Sequence, residues 1–188
     1  SVHLPALIAL LKGHRTLIWL HITGPGPAID GLRGKEPVIG QLRELADAAQ
    51  AGGTKIAIYP HLGDWTERFG DATRLARLVN HPALGVSFNL CHCLATGDEA
   101  AIGRLLEQAR DVLLIATICG ADAGIRAPHP QLWTHLIQPL GQGTFDSGAV
   151  LDKLHEIGFD GPICFQGFGI KGEPRAILTP TMAAWLAV

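Results

Sequence analysis

The sequence has no long hydrophobic run and no cluster of basic residues. Its longest apolar stretches, such as "TLIWLHI" and "VLLIATI", have the length of a strand, whereas a helix that crosses a bilayer needs about 20 apolar residues. The 15 basic and 17 acidic residues leave a formal net charge of −2, and no row of Lys or Arg could follow a phosphate backbone. We therefore expect a soluble protein without a membrane segment and without a nucleic-acid partner.

Cysteine is also scarce, since the chain contains only 4. Their spacing is not that of a small secreted disulfide-rich domain, so we expect reduced thiols in a cytoplasmic protein. Cys91, His92 and Cys93 are too close in sequence for all three to bind one tetrahedral zinc ion easily, although Cys119 on a neighbouring strand end could complete such a site. No matching Cys pair occurs elsewhere, and we favour small buried thiols at these positions and at Cys164.

A glycine-rich dinucleotide loop is missing as well. No predicted strand is followed by a GxGxxG turn, and the segment after the first strand, "GPGPAIDGLRG", carries prolines where such a loop needs free amides. The sequence therefore predicts no nucleotide cofactor.

What the sequence does contain is one pattern repeated five times, a helical segment followed by a short apolar run. The runs are uniformly apolar, as in strands buried on both faces, and the 47% hydrophobic content suffices for a sizeable core. This alternation predicts an α/β fold with a parallel sheet. The five runs are "TLIWLHI", "KIAIYPH", "LGVSFNLCH", "DVLLIATICGAD" and "PICFQGFGI". Polar residues gather at their carboxyl ends, where parallel α/β folds bind ligands.

Five such units are too few for a complete (β/α)8 TIM barrel, which takes about 250 residues. With a dinucleotide fold disfavoured, we interpret residues 1–188 as a single domain, the C-terminal part of a TIM barrel that lacks its N-terminal strands. Such a piece exposes sheet edges and apolar flanks. We expect it to self-associate or to need the missing N-terminal segment.

Three stretches carry a resemblance to a known family. "LIQPLGQGTFDSGAVLDKLHEIGFDGPICFQ" resembles the closing segment of the sugar phosphate isomerase/epimerase family, and "KIAIYPH" and "LGVSFNLCH" are similar to its earlier strands. The match runs in order from about Leu4 to Val188. The resemblance implies the xylose isomerase-like TIM barrel and divalent-metal-assisted proton transfer next to a carbonyl.

The resemblance also shows where this chain departs from the family. The family holds its metal with two glutamates, an aspartate and a histidine, and the matching positions here are Tyr59, Asn89, one near Thr117, and Gln166. Asn and Gln offer a carbonyl oxygen but no negative charge and cannot act as bases. A divalent metal (Mn²⁺, Mg²⁺ or Zn²⁺) that relied on Asn89, His92 and Gln166 would be held weakly.

Histidine is the side chain best able to move a proton near neutral pH. We predict His61, His92 and Asp122 as catalytic residues, with His61 and His92 as the proton-transferring pair. Each has a simpler structural alternative, such as capping a strand end or a loop. The predicted substrate-binding residues are Tyr59, Trp65, Asn89, Gln166 and Lys171; Trp65 could stack on a sugar ring.

Three functions compete on this reading. The first is a sugar (phosphate) isomerase or epimerase that transfers a proton next to a carbonyl at the C-terminal mouth of the barrel. The second is a noncatalytic sugar-binding relative that has lost the metal-binding carboxylates. The third is a zinc phosphodiesterase similar to the endonuclease IV relatives of this barrel, which the near-neutral charge and the missing carboxylate ligands disfavour. We favour the first, with a small-molecule sugar or sugar derivative as ligand.

Overall fold

The computed structural model describes residues 3–24 and 36–187. The segment "GPGPAIDGLRG", on which the expectation of no nucleotide cofactor partly rested, lies outside the described residues except for Gly24. Five strands and eight α-helices occur in the described part of the chain, in the order α1 (Leu4–Leu10), β1 (Leu17–Leu20), α2 (Glu36–Gly52), β2 (Lys55–Ile58), α3 (Phe69–Val79), β3 (Leu84–Asn89), α4 (Leu90–Ala95), α5 (Ile102–Ala109), β4 (Leu113–Ile118), α6 (Leu132–Leu136), α7 (Ser147–Glu156), β5 (Ile163–Phe165) and α8 (Pro174–Leu186). All five predicted strands are present.

The strand order follows the chain, β1-β2-β3-β4-β5. β1 pairs with β2 in parallel, with Leu17 opposite Lys55, and β2 pairs with β3 in parallel. β4 pairs with β5 in parallel, with Thr117 opposite Cys164. The predicted parallel α/β arrangement is therefore confirmed.

The chain divides into two compact units. The first consists of residues 1–87 and 111–114, and the second of residues 88–110 and 115–188. The prediction of a single domain stays a prediction. Each unit has its own core and is described below by itself.

In the first unit, the core lies between β2 and the buried faces of α2 and α3. Ile56 and Ile58 of β2 are fully buried. α3 buries residues at the three- and four-residue spacing of an amphipathic helix. It ends at Asn80, which adopts the left-handed conformation typical of a helix C-terminus. This packing supports the strands after which the first candidate site lies.

The second unit contains two short helices that the sequence pattern did not predict. β3 ends at Asn89 and passes directly into α4, so "LCHCLA" is helical rather than a strand extension. α6 follows the long loop after β4. α7, which was predicted, begins after Asp146, whose carboxylate accepts a hydrogen bond from the N–H of Ala149 at 3.1 Å.

No helix in the described ranges combines the length and hydrophobicity needed to cross a membrane.

The four thiols differ in accessibility, which leads to a prediction about their reactivity. Cys91, Cys93 and Cys119 are buried, whereas Cys164 is half-buried. A hydrogen bond with Cys91, together with burial, raises the pKa of the Cys119 thiol well above its usual value, and thiols react as thiolates. We expect a disulfide exchange reagent to label Cys164 first and the other three only after denaturation. A titration with and without denaturant, with a Cys164→Ser control, measures this; rapid labelling of Cys119 in the folded protein would contradict it.

Candidate functional sites

In the first unit, two histidines and an aspartate meet just beyond β1 and β2. The Nδ1 atom of His21 lies 2.9 Å from Oδ2 of Asp64, and Nδ1 of His61 lies 3.8 Å from Oδ1 of the same carboxylate. One ligand atom from each of the three residues lies within 4.8 Å of the others. Asp64 is mostly covered, at 13% side-chain exposure, whereas the imidazoles are 44% and 38% exposed. The cluster therefore has a mostly covered carboxylate and two partly exposed imidazoles.

Backbone hydrogen bonds hold this cluster in place. The N–H of Tyr59 donates to the carbonyl of Leu20 at 2.9 Å, and the N–H of Trp65 donates to the carbonyl of Ile22 at 2.9 Å. These two bonds fix the residues on either side of His21 against the segment that contains His61.

The turn between His61 and Asp64 is fixed as well. The N–H of Asp64 donates to the carbonyl of His61 at 2.9 Å, and Gly63 has φ of +88°. Glycine adopts this conformation without the steric penalty that other residues incur. The N–H of Gly63 donates to the Glu67 carboxylate at 2.9 Å. The geometry of the turn thus places Asp64 between the two imidazoles.

Aromatic rings cover one side of the cluster. Tyr59 stacks on His21 with ring centroids 4.5 Å apart, and Trp19 lies 5.2 Å from Tyr59. Tyr59 is almost fully buried, and Trp65 is half-buried. Of the residues predicted to contact substrate, Tyr59 and Trp65 thus border the cluster, and the predicted catalytic residue His61 is a member of it.

In the second unit, a carboxylate and a histidine form a hydrogen-bonded pair. Nδ1 of His135 lies 2.7 Å from Oδ2 of Asp122, and Nε2 of Gln138 donates to the same oxygen at 3.1 Å. The backbone N–H of Asp122 in turn donates to the carbonyl of His135 at 2.8 Å. Because an ionised carboxylate only accepts hydrogen bonds, Nδ1 carries the proton, which leaves the lone pair of the neutral ring on Nε2.

This pair opens onto a cleft of about 660 Å³, a volume in the range of small-molecule sites. Asp122, His135 and Gln138 line it together with Lys171, Trp133 and Phe168. Two of the predicted site residues, Asp122 and Lys171, are therefore brought to the same cleft.

Two other predicted residues do not line the cleft but contact residues that do. His92 is buried on α4 and packs edge-on against Trp133, with ring centroids 5.0 Å apart. Oε1 of Gln166 accepts a hydrogen bond from the N–H of Phe168 at 3.3 Å. In this geometry, His92 supports Trp133 and Gln166 supports the loop that carries Phe168.

Asn89 is also buried, at 2% exposure. The Thr117 hydroxyl donates to its Oδ1 atom at 2.9 Å. The amide oxygen that was predicted to contact substrate or metal thus already has a partner on the neighbouring strand.

The positions at which the family carries its metal ligands do not fit a divalent cation in this chain. None of the four residues there, Tyr59, Asn89, Thr117 and Gln166, is a carboxylate or an imidazole. The amide oxygens of Asn89 and Gln166 accept hydrogen bonds from Thr117 and Phe168, and the ring of Tyr59 packs between Trp19 and His21. A hard cation prefers several charged oxygens, so these side chains do not form a site for such a cation.

The Asp122–His135 pair predicts a pH dependence of stability. The hydrogen bond from His135 is the main cause that lowers the pKa of Asp122, with smaller contributions from Gln138 and the backbone. Because the pKa is lower in the folded than in the unfolded chain, the stabilisation is complete above the unfolded pKa and is lost as pH falls through the folded one. We expect Asp122→Asn to be destabilising at pH about 7 and less so at pH about 3, because part of the stabilisation is lost once the pH falls below the unfolded pKa.

Urea unfolding of both proteins at the two pH values measures this effect. Asp152→Asn, on α7 and away from His135, is the matched control. An equal stability difference at both pH values would contradict the expected role of the Asp122 carboxylate.

Several residues of these sites were not predicted. His135, Gln138 and Trp133 lie in or beside α6. They could have been suspected as site residues because their segment, "QLWTHLIQ", immediately precedes the family-like stretch "PLGQG". His21 lies just after the first strand, and its contact with Asp64, 43 positions further along the chain, was not predicted.

Comparison with known proteins shows the family. The profile of the xylose isomerase-like TIM barrel matches residues 11–187. A comparison with the sequences of curated proteins finds no match.

Solved structures agree on the fold. The probable 3-DHS dehydratase AsbF from Bacillus anthracis superposes with a TM-score of 0.78 at 14% identity, over 98% of this chain and 69% of that one. The IOLI protein with a bound zinc atom gives 0.70 at 19% identity, over 98% and 66%. D-allulose 3-epimerase from Methylomonas sp., in complex with D-allulose, gives 0.67 at 18% identity, over 97% and 60%. This chain spans about two thirds of their length. The predicted TIM-barrel fold is thereby confirmed, and the protein belongs to the xylose isomerase-like TIM barrel family.

Proposed function

We propose that the protein acts on a sugar or sugar derivative as an isomerase or epimerase, and that the cleft of the second unit is where it moves the proton. The observation that carries this proposal is the Asp122–His135 hydrogen bond of 2.7 Å at a cleft that Lys171 and two aromatic rings also line. The family membership supports the same class of chemistry, and one of the structurally similar proteins is a D-allulose 3-epimerase in complex with D-allulose.

His135 is the proposed base. Its Nδ1–H donates to Asp122, so Nε2 can accept the proton from a carbon next to the sugar carbonyl, leaving an enediolate and an imidazolium. For isomerisation the imidazolium returns that proton to the neighbouring carbon on the same face, while the hydroxyl proton passes between the two substrate oxygens. For epimerisation water in the cleft protonates the opposite face of the same carbon, and the hydroxide that forms takes the proton from the imidazolium. Asp122 stabilises the imidazolium and fixes the ring orientation. No oxidant or cofactor is consumed in either direction.

The remaining lining residues fit a sugar. The apolar faces of Trp133 and Phe168 suit the C–H faces of a sugar ring. The Lys171 ammonium on the same cleft suits an anionic substituent such as a phosphate. We assign Lys171 to substrate binding and His92 and Gln166 to support of the cleft wall. The pairing of His61 with His92 as acid and base stays a prediction.

Proton exchange in D₂O tests this proposal. The chain is incubated with D-allulose, other ketohexoses and their phosphates, and ¹H NMR follows the proton next to the carbonyl. We expect loss of that signal, with deuterium in the substrate or its epimer, for at least one sugar. Binding of a sugar in this panel without exchange would overturn the enzymatic proposal.

That contrary result would favour the second candidate, a noncatalytic sugar-binding relative. The observation in its favour is that no carboxylate occupies the family's metal-ligand positions matched by Tyr59, Asn89, Thr117 and Gln166. It predicts that Trp133→Ala abolishes sugar binding, measured by calorimetry, whereas His135→Ala leaves the affinity almost unchanged.

A further inference from the structure

We infer that His21, His61 and Asp64 form a binding site for a divalent first-row transition metal ion, built from side chains other than those at the family's metal-ligand positions. This inference concerns the first unit alone. It does not depend on the reaction proposed for the cleft of the second unit.

The three side chains supply the kinds of donor atom that such ions bind. One ligand atom each from His21, His61 and Asp64 lies within 4.8 Å of the others. Two imidazoles and one carboxylate are the protein ligands of many catalytic zinc sites and of non-haem iron sites, which leave further positions open to water or substrate. Imidazole nitrogen favours such ions over Mg²⁺ and Ca²⁺, which prefer oxygen.

The carboxylate of Asp64 is oriented toward both imidazoles. Its two oxygens face two different imidazoles, with Oδ2 at 2.9 Å from Nδ1 of His21 and Oδ1 at 3.8 Å from Nδ1 of His61. Without a metal ion, the shorter contact is a hydrogen bond between Nδ1 of His21 and Oδ2 of Asp64. A cation can replace the proton of that hydrogen bond and contact all three side chains.

The backbone around the cluster is held by hydrogen bonds, whereas the imidazole rings can adjust. Zinc lies about 2.0–2.1 Å from its imidazole nitrogens, so the side chains must draw closer together on binding. Both imidazoles are more than one-third exposed and have room to rotate. The hydrogen bonds from Tyr59 to Leu20 and from Trp65 to Ile22 keep the two chain segments together, so the movement required is confined to the side chains.

The surroundings also define the open side of the site. Tyr59 stacks on His21 and closes one side with an aromatic ring. The exposed edges of His21 and His61 leave the remaining coordination positions to solvent or to an oxygen ligand.

Calorimetric titration of the untagged chain with Zn²⁺, after treatment with a chelator, tests the inference. We expect one zinc ion per chain with micromolar or tighter affinity, and much weaker Mg²⁺ binding. Asp64→Asn and His21→Ala should each weaken zinc binding by about 100-fold or more, because each removes a direct ligand. With Co²⁺ in place of Zn²⁺, visible absorption bands should appear and be lost in both variants.

The chain offers a matched control in the same unit. His81 and Asp47 form a second His–Asp pair, with Nε2 of His81 3.1 Å from Oδ1 of Asp47, but no third ligand joins them among the described residues. His81→Ala should leave zinc affinity within about twofold of the original.

Two results would overturn the site. One is the absence of zinc binding by the original chain up to about 1 mM, and the other is one-to-one binding that survives both Asp64→Asn and His21→Ala. His21 is exposed, so its variant should fold, as circular dichroism checks, and it carries the test even if Asp64→Asn does not fold.

Discussion

Replacing His135 with alanine is expected to slow the exchange of the sugar proton by about 100- to 10,000-fold, the usual contribution of a positioned general base. The Nε2 atom of His135 is the proposed acceptor, and its lone pair is available because Nδ1 is committed to Asp122 at 2.7 Å. The measurement is the initial rate of deuterium incorporation with the sugar that the original chain exchanges fastest. The reduction should appear in kcat rather than in KM, because Trp133, Phe168 and Lys171 still hold the sugar.

Two further variants separate a chemical role from a structural one. Asp122→Asn keeps an oxygen that can accept the Nδ1–H hydrogen bond but loses the charge that stabilises the imidazolium, so it should fall between the original and His135→Ala. His155→Ala, at an exposed position of α7, should exchange at the original rate. If His135→Ala retains the original rate, the base lies elsewhere and His135 has only a structural role.

The strands could be predicted from the sequence because their signal is local. Each strand is a short apolar run, and the polar residues after it fall at the carboxyl end of a parallel sheet. This rule found Asp122 after β4 and Lys171 after β5, and the structure brings both to one cleft. It also found His61 after β2, which lies in the histidine cluster.

The partners of these residues could not be found in the same way, because the loop conformation determines them. Asp122 and His135 are 13 positions apart and meet because the chain after β4 turns back in the bridge between Gly120 and Gln138. His21 and Asp64 meet because two backbone hydrogen bonds join segments that are distant in sequence. Neither contact has a signature in hydrophobic periodicity.

The family positions show a different limit of sequence reasoning. The resemblance to the family predicts that its metal-binding carboxylates are replaced at Tyr59, Asn89 and Gln166. The sequence could not show which contacts the replacing side chains make. In the structure, Oδ1 of Asn89 accepts a hydrogen bond from Thr117, and Oε1 of Gln166 accepts one from the N–H of Phe168. The substituted metal-ligand positions therefore do not determine whether the Asp122–His135 pair of the cleft transfers protons, and the exchange experiment tests that pair directly.

Gly120→Ala is expected to destabilise the protein by about 1–3 kcal/mol or more, the range for overfilled sites, and to disrupt the proposed proton-transfer site at the same time. A Cβ atom at Gly120 would lie 2.3 Å from the carbonyl oxygen of Pro139 and 2.4 Å from that of Gln142. Both are backbone atoms, so the segment that carries Gln138 must move as a whole. That movement breaks the paired hydrogen bonds between Gly120 and Gln138, which are 3.0 and 2.9 Å long.

Gly103→Ala on α5 is the matched control, since a Cβ atom there would meet nothing within 4 Å and alanine favours helix over glycine by about 1 kcal/mol. Urea unfolding should therefore place the midpoint of Gly120→Ala below that of the original chain and the midpoint of Gly103→Ala at or above it. Where Gly120→Ala remains folded, its proton exchange should still be slower, because displacement of the 138–142 segment pulls Gln138 away from Asp122 and loosens the contact with His135. Equal midpoints for the two glycine variants would mean that the 138–142 segment can move without loss of stability. The Asp122–His135 pair would then not be held rigidly enough to act as the base we propose.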